Sequence, residues 1–234
     1  MLTNSDFHRG LKAGIPIGMG YFSVSLSFGI LAVSYGFRWW QAVLISMLTV
    51  TSAGQFAGIQ AMLVPGQYFS LLLSQVTINI RYSMMSVSLS QKADRAFGRL
   101  ARWLLGFFVT DEIFAVAVSE PVLKRSFFAG LTVMPWLGWT FGTLTGGLLG
   151  SVLPQDLMNA LSVALYGMFI AIVVPDAKKE RPVLLVVLLA MAFSCLFTWL
   201  PGLNALPSGI CVSLCAILAA AAGAALFPIK EEVA

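Results

Sequence analysis

The chain has 234 residues, 59% of them hydrophobic and only 10% charged, with a mean hydropathy of +0.88. Soluble domains run at roughly 45–50% apolar and 25% charged, so this composition excludes a water-soluble globular protein. The net charge of +4, from 14 Lys and Arg against 10 Asp and Glu, reads as basic loops on the cytoplasmic side of a membrane and not as a nucleic-acid surface.

The stretch Met1–Gly14 is mixed in charge and lacks a short apolar core with a small-residue cleavage site, so no removable signal peptide is expected. A bilayer core takes about 20 apolar residues per helix. On that ruler the candidate segments are Gly14–Tyr35, Gln41–Val64, Tyr68–Ser90, Trp103–Val122, Phe127–Leu153, Leu157–Val174, Val183–Leu200 and Ser208–Phe227. Short links punctuated by Pro65-Gly66, Pro154, Pro175 with Pro182, and Pro201-Gly202 read as helix ends. Unalternating apolar runs exclude a β-barrel. The expected fold is therefore an all-α, polytopic helical bundle of seven to eight segments, with residues 1–234 forming one membrane domain.

If every segment crosses, the N-terminus and the Glu120–Ser126 link share one side with the Asp176–Pro182 link and the C-terminus. The link carrying Lys92, Arg95, Arg99 and Arg102 then falls on the opposite side, against the positive-inside expectation. Either a segment is re-entrant or broken and changes the parity, or the rule is violated. The first reading is favoured.

Four segments carry backbone-loosening or polar residues in mid-span: Gly14–Phe22 with Pro16, Gly18 and Gly20, then Ser52–Phe56, Ile78–Tyr82 and Thr110–Glu112. Broken helices of this kind build substrate sites in many transporters, because freed backbone groups and half-helix ends bind charged ligands. Ordinary helix packing is the alternative for each one singly. Gly138, Gly142, Gly146 and Gly150 repeat every four residues, as do Gly10, Gly14 and Gly18. Such ridges let membrane helices approach closely, and the two are expected to pack on one another. Pro16 and Pro135, each followed by a Phe-Gly step (Phe28-Gly29, Phe141-Gly142), hint at an internal duplication.

Ionisable groups at membrane depth are costly and face a bundle interior or a wet cavity. Arg81, Asp111 and Glu112 are such groups, and they point to a path for a small polar solute. The sequence elsewhere offers no chemistry. His8 is the one histidine, and Cys195, Cys211 and Cys215 sit in apolar segments as small buried hydrophobes. No metal site and no cofactor is expected, and no Gly-x-x-x-x-Gly-Lys loop is present for ATP. Adjacent acids project too differently to share one water as an aspartyl dyad must, so the chain is not read as an enzyme.

Pro16–Tyr21, Phe28-Gly29, Ala53–Phe56 (AGQF), Asn79–Tyr82 (NIRY) and Thr110–Ala115 (TDEIFA), in this order and spacing, resemble the AzlC family, the large subunits of bacterial branched-chain amino acid exporters also called BrnF or YgaZ proteins. The chain departs from relatives that carry Asp-x-Arg-His where it has Asn79–Tyr82, and Ala-Ser-Gln-Phe where it has Ala53–Phe56. The resemblance implies a multi-pass protein of the bacterial inner membrane that exports leucine, isoleucine, valine and also methionine, coupled to the proton gradient. It also implies a small membrane partner of the AzlD/BrnE type. An ion or small-solute channel is the alternative.

A zwitterionic amino acid needs donors for its carboxylate and acceptors for its ammonium. Arg81 offers a bidentate fork, and Gln55 and Asn79 offer neutral donors and acceptors. Asp111 or Glu112 is placed to take the ammonium or a proton. Pro16, Gly18, Tyr21, Gly54 and Phe56 complete the expected site, with Phe56, Tyr21 or Met84 against the apolar side chain. Two structural alternatives stand beside this reading. One is an internal salt bridge from Arg81 to Asp111 or Glu112 that only fixes helix register. The other is an N-cap at Thr110 that merely starts a half-helix.

Overall fold

The computed structural model describes residues 4–95, 97–149, 156, 170, 173–175, 177–203 and 205–228. Among these the chain is helical, and one isolated bridge, Ala93 to Leu123, is the sole extended pairing. The helices are α1 Asn4–Ser34, α2 Trp39–Leu48, α3 Ser52–Met62, α4 Tyr68–Lys92, α5 Arg99–Gly106, α6 Asp111–Val118, α7 Arg125–Leu149, α8 Arg181–Trp199 and α9 Ser208–Leu226. Three of the described helices are long and apolar enough to cross a membrane by themselves: Ser5–Ser34, Arg181–Trp199 and Gly209–Leu226. The predicted span Leu157–Val174 lies almost wholly outside the described residues, as do Gly150 and Pro154.

Contacts divide the chain into two units, residues 1–56 with 79–162, and residues 57–78 with 163–234. The division falls inside α3 and α4. In the second unit α8 and α9 pack on one another at Gly223 and Val186, and α9 meets the first half of α4 where Thr77 Oγ1 donates to Ser213 Oγ at 3.0 Å. Cys215 is buried there, but Cys195 is exposed on α8, whose apolar side chains point outward all round. The expectation that all three cysteines are buried is thus corrected: a helix clad in lipid needs no buried face. The Pro-Gly links at 65–66 and 201–202 turn on glycines with φ of +84° and +95°, a region that costs L side chains about 1–2 kcal/mol.

The first unit is organised by α1 and α7. Reciprocal contacts show that they run parallel in backbone contact. A Cβ on Gly10 would run into Phe127 O and Leu131 N, and one on Gly130 into Phe7 O and Leu11 N. At the other end Gly29 abuts Thr143 O and Gly147 N, and Gly146 abuts Leu26 O and Ile30 N. Each glycine thus meets the residue three before and the residue one after its counterpart, a local two-fold relation. Gly14, Gly18, Gly138 and Gly142 fill the seam between. The two predicted ridges do pack together. From Gly10 to Gly29 the seam covers about 28 Å at helical rise, close to the roughly 30 Å of a bilayer's hydrocarbon core.

Two predicted interruptions do not occur. α1 runs unbroken through Pro16 and its glycines, and α4 runs unbroken through Asn79 and Arg81. Gly10, Gly14, Gly18 and Gly29 of α1 serve close approach to α7, whereas Gly20 meets open space, and the polar side chains of α4 extend sideways without disturbing its backbone. Two interruptions do occur, one of them at Thr49–Thr51, just before the expected Ser52–Phe56, which itself opens α3, and both turn an expected crossing into a hairpin. Gln41–Val64 is α2 and α3, reversed at Thr49–Thr51, and Trp103–Val122 is α5 and α6, reversed at Phe107–Thr110.

The neighbours of each hairpin fix its direction. α2 begins with Trp39 against Gly147 near the end of α7 and stops where Trp136 Nε1 donates to Met47 O at 3.3 Å. α3 then turns back, placing Gln55 beside Ser46 and the Phe56 ring on Phe28, 5.3 Å between centroids. α5 begins after Phe97, whose ring lies 6.2 Å from Phe128 at the start of α7, and its C-terminal turn brings Phe108 within 6.4 Å of Trp136. α6 returns along α1, from Thr110 at Tyr21 to Glu120 at Arg9. One hairpin therefore enters from the end of the α1–α7 pair that holds Ser34 and Leu149, the other from the end that holds the N-terminus.

The basic link falls where the favoured alternative, a broken segment that changes the parity, puts it. Lys92 Nζ donates to Val118 O, and Asp94 N donates to Leu123 O at 3.0 Å. The Lys92–Arg102 stretch therefore sits beside the N-terminus and the Glu120–Ser126 link, not opposite them. Arg9 makes two bonds to Glu120, 2.7 and 2.8 Å, and Lys124 pairs with Asp6 at 3.0 Å.

The seam yields a prediction. Gly138→Ala and Gly146→Ala force a methyl group into backbone atoms and should each destabilise by about 1–3 kcal/mol. Gly106→Ala, which meets open space, should stabilise or leave stability unchanged, as read by thermal unfolding in detergent.

Candidate functional site

The two hairpin tips meet at three aromatic residues. Tyr21 of α1 is 9% exposed and clusters with Val50 of the first tip and Trp139 of α7, its ring edge-on to Trp139 at 5.2 Å. Trp136 serves both tips, donating to Met47 O on one side and stacking edge-on with Phe108 on the other. These bulky side chains close the space between two reversed segments whose turns interrupt the helical bonding.

The tip of the first hairpin is fixed by a buried polar chain. Trp139 Nε1 donates to Gln55 Oε1 at 2.7 Å, Gln55 Nε2 donates to Ser46 Oγ at 3.0 Å, and Ser46 shares a 2.7 Å bond with Thr143 Oγ1. All four residues are buried, and buried polar groups of this kind hold only when satisfied. Thr51 Oγ1 donates to Asn79 Oδ1 at 2.6 Å, tying the start of α3 to the middle of α4. Gly54 is also buried in this turn.

The second tip carries the acids. Thr110 caps α6, its side chain accepting from Ile113 N, as the sequence alternative anticipates. Asp111 and Glu112 occupy the first turn, where the helix dipole favours negative charge. They point different ways, as adjacent helical positions about 100° apart must. Asp111 Oδ2 lies 2.9 Å from Arg81 Nη1, with the two side chains 41% and 45% exposed. Glu112 Oε2 is 2.5 Å from Tyr21 Oη, which also lies 2.6 Å from Thr110 Oγ1. Arg81 stacks over Tyr82 at 5.2 Å.

Of the expected site residues, Tyr21, Gln55, Asn79, Arg81, Asp111 and Glu112 are held at the two tips or at the middle of α4 facing them. Phe56 is buried against Phe28, one turn away. Gly18 lies in the α1–α7 seam against Met134 O, and Pro16 is exposed on α1. Met84 is 71% exposed. Gly138, Gly142 and Gly146 pack within the chain. Sequence reasoning passed over Ser46, Thr51 and Thr143, whose hydroxyls carry no charge and form no motif. Trp139 is the hydrogen-bond anchor of Gln55.

Residues 16–153, more than half of the chain, match the family model described as AzlC protein. An uncharacterized membrane protein of Archaeoglobus fulgidus is 33% identical over 75% of this chain and 78% of its own length. The inner membrane protein YgaZ of Escherichia coli is 28% identical over 76% of each chain. The branched-chain amino acid transport protein AzlC of Bacillus subtilis is 25% identical over 75% of this chain and 69% of its own. No solved structure matches.

The buried chain at the first tip is testable. Gln55→Leu strands the Trp139 N–H and should cost about 1–3 kcal/mol of stability. Thr145→Ala, which removes only an exposed hydroxyl bonded to the backbone of its own helix, should cost far less in the same denaturation assay.

Proposed function

The chain belongs to the AzlC family, a family of membrane transport proteins, and from that membership we propose that it exports branched-chain amino acids, and methionine, from the bacterial cytoplasm in exchange for protons. The observation that carries this reading is the Arg81–Asp111 ion pair, set where two half-helices begin. A cation and an anion 2.9 Å apart and half-exposed match the two charges of an amino acid. In our reading the substrate parts the pair: its carboxylate takes the Arg81 fork and its ammonium takes Asp111.

The start of α3 supports the carboxylate end. Its first turn carries no acidic residue, so the positive end of the half-helix is left for an anion, with Gly54 and Gln55 in that turn and Asn79 beside it. Met84, one turn on from Arg81, offers apolar surface to the substrate side chain. Pro16 and Gly18 act by setting the course of α1, which carries Tyr21.

We propose further that α1, α4 and α7 cross the bilayer while the two hairpins enter it from opposite faces and stop near its middle. Arg9, Lys12, Lys92, Arg95, Arg99, Arg102, Lys124 and Arg125 then share one face and Arg38 takes the other, which makes the N-terminal face cytoplasmic. A small AzlD/BrnE-like membrane subunit is the expected partner.

The test is flux of labelled leucine in proteoliposomes, with and without an imposed pH gradient, for the chain alone and with the small subunit. Accumulation driven by the gradient is expected. Arg81→Ala and Asp111→Asn should each lower it about thirtyfold or more while the protein stays folded, the scale of losing one partner of a hydrogen-bonded charge pair, roughly 2 kcal/mol or above. Normal flux in either variant removes that residue from the site. Leucine flux that no gradient drives uphill replaces the exporter with a channel.

A further inference from the structure

Asp111 and Glu112 are neighbours in sequence, but their partners differ in kind. Arg81 has donors only and does not release its proton in proteins. Its ion pair with Asp111 therefore exists only while Asp111 is ionised, and protonation would leave at most a weaker, neutral hydrogen bond. Tyr21 is both donor and acceptor, so its bond to Glu112 survives in either protonation state.

The bonding around Tyr21 makes this concrete. With Glu112 ionised, Tyr21 Oη–H donates to Glu112 Oε2 across 2.5 Å, and the Thr110 hydroxyl donates to Tyr21 Oη across 2.6 Å. When one proton is added to Glu112, its O–H donates to Tyr21 Oη, and Tyr21 O–H donates to Thr110 Oγ1. The Thr110 hydrogen then loses Tyr21 Oη as its acceptor. One proton has entered, no heavy atom has moved, and every oxygen at the junction keeps a partner. Tyr21 and Thr110 are 9% and 4% exposed, which keeps water from their oxygens, while Glu112 itself is exposed and open to a proton from outside.

We propose that Glu112, seated on Tyr21 and Thr110, is the proton-carrying group of this protein, and that Asp111 is reserved for the Arg81 pair and the substrate. The assignment of roles rests on the coupled-carrier reading above, but the protonation site itself does not. The charged and titratable groups that face it are Asp111 on α6, Arg81 on α4 through Asp111, and Tyr82 on α4, which interacts electrostatically with Tyr21. Trp139 supplies the α7 wall and carries no charge. Because Asp111 also feels the charge of Glu112, a proton on Glu112 changes the field at the substrate pair one residue away. That is a direct route from proton to substrate.

The experiment is a pH-induced infrared difference spectrum of the purified full chain, which needs no substrate. Acidification adds C=O stretches from the ten Asp and Glu, and comparison with each variant should isolate one band of that set that belongs to Glu112. The band should vanish in Glu112→Gln, persist in Asp111→Asn, and shift in frequency in Tyr21→Phe, where the hydroxyl partner is gone. Glu112→Asp should move the band without deleting it, so the assignment is readable even where Gln prevents folding. A set of carboxyl bands unmoved by both Glu112 substitutions, or a Glu112 band lost with Asp111→Asn, overturns the proposal. A band unshifted in Tyr21→Phe overturns the part given to Tyr21. Absent leucine flux with a band that follows Glu112 would sink the exporter reading and leave the protonation site standing.

Discussion

Backbone contact between α1 and α7 is the constraint on which the rest of the first unit depends. Without a hydrophobic force to drive helices together in lipid, close packing of small residues is what holds them. The reciprocal glycines at both ends of the seam bring the helix backbones together over about the thickness of a bilayer core. A parallel pair held this tightly leaves room at each end for one short hairpin. Neither hairpin is long enough to pass through.

The hairpin tips supply what continuous helices cannot. Each reversal frees backbone groups and starts a new helix, which in the proposed arrangement lies at membrane depth, where such groups are tolerated only when satisfied inside the protein. Here Thr110 caps one start, Thr51 braces the other on Asn79, and Tyr21, Trp136 and Trp139 fill the space between. The charged residues then fall into place. Arg81 reaches the second tip from an unbroken α4, Asp111 meets it, and Glu112 turns the other way onto Tyr21. The Arg9–Glu120 and Lys92–Val118 contacts hold the far end of α6 at the face that gathers the basic residues.

Much of this was legible in the sequence, and what was hidden has a physical reason. The break at Thr110–Glu112 showed because two acids and a capping threonine interrupt an apolar run. The packing of the two ridges showed because glycines four apart make one helical face. Thr49–Thr51 did not show, because three small residues hardly change the hydropathy of the run around them. A run that turns back has the same composition as one that crosses, so Gln41–Val64 and Trp103–Val122 read as single spans. Single spans would put the Lys92–Arg102 link on the wrong side, and the charge asymmetry was the clue that favoured a broken segment instead. Pro16 and Asn79–Tyr82 misled in the opposite direction: residues able to break a helix need not do so when packing or side-chain partners hold it straight.

The arrangement of opposed hairpins is tested most directly by sidedness. Cysteines placed singly at Lys12, Arg95 and Arg38, in a chain with Cys195, Cys211 and Cys215 changed to serine, would be labelled with an impermeant maleimide in vesicles of known orientation. The account predicts that K12C and R95C react from one face and R38C from the other. Labelling of R95C together with R38C would mean that one of these segments crosses the membrane after all, and would contradict it.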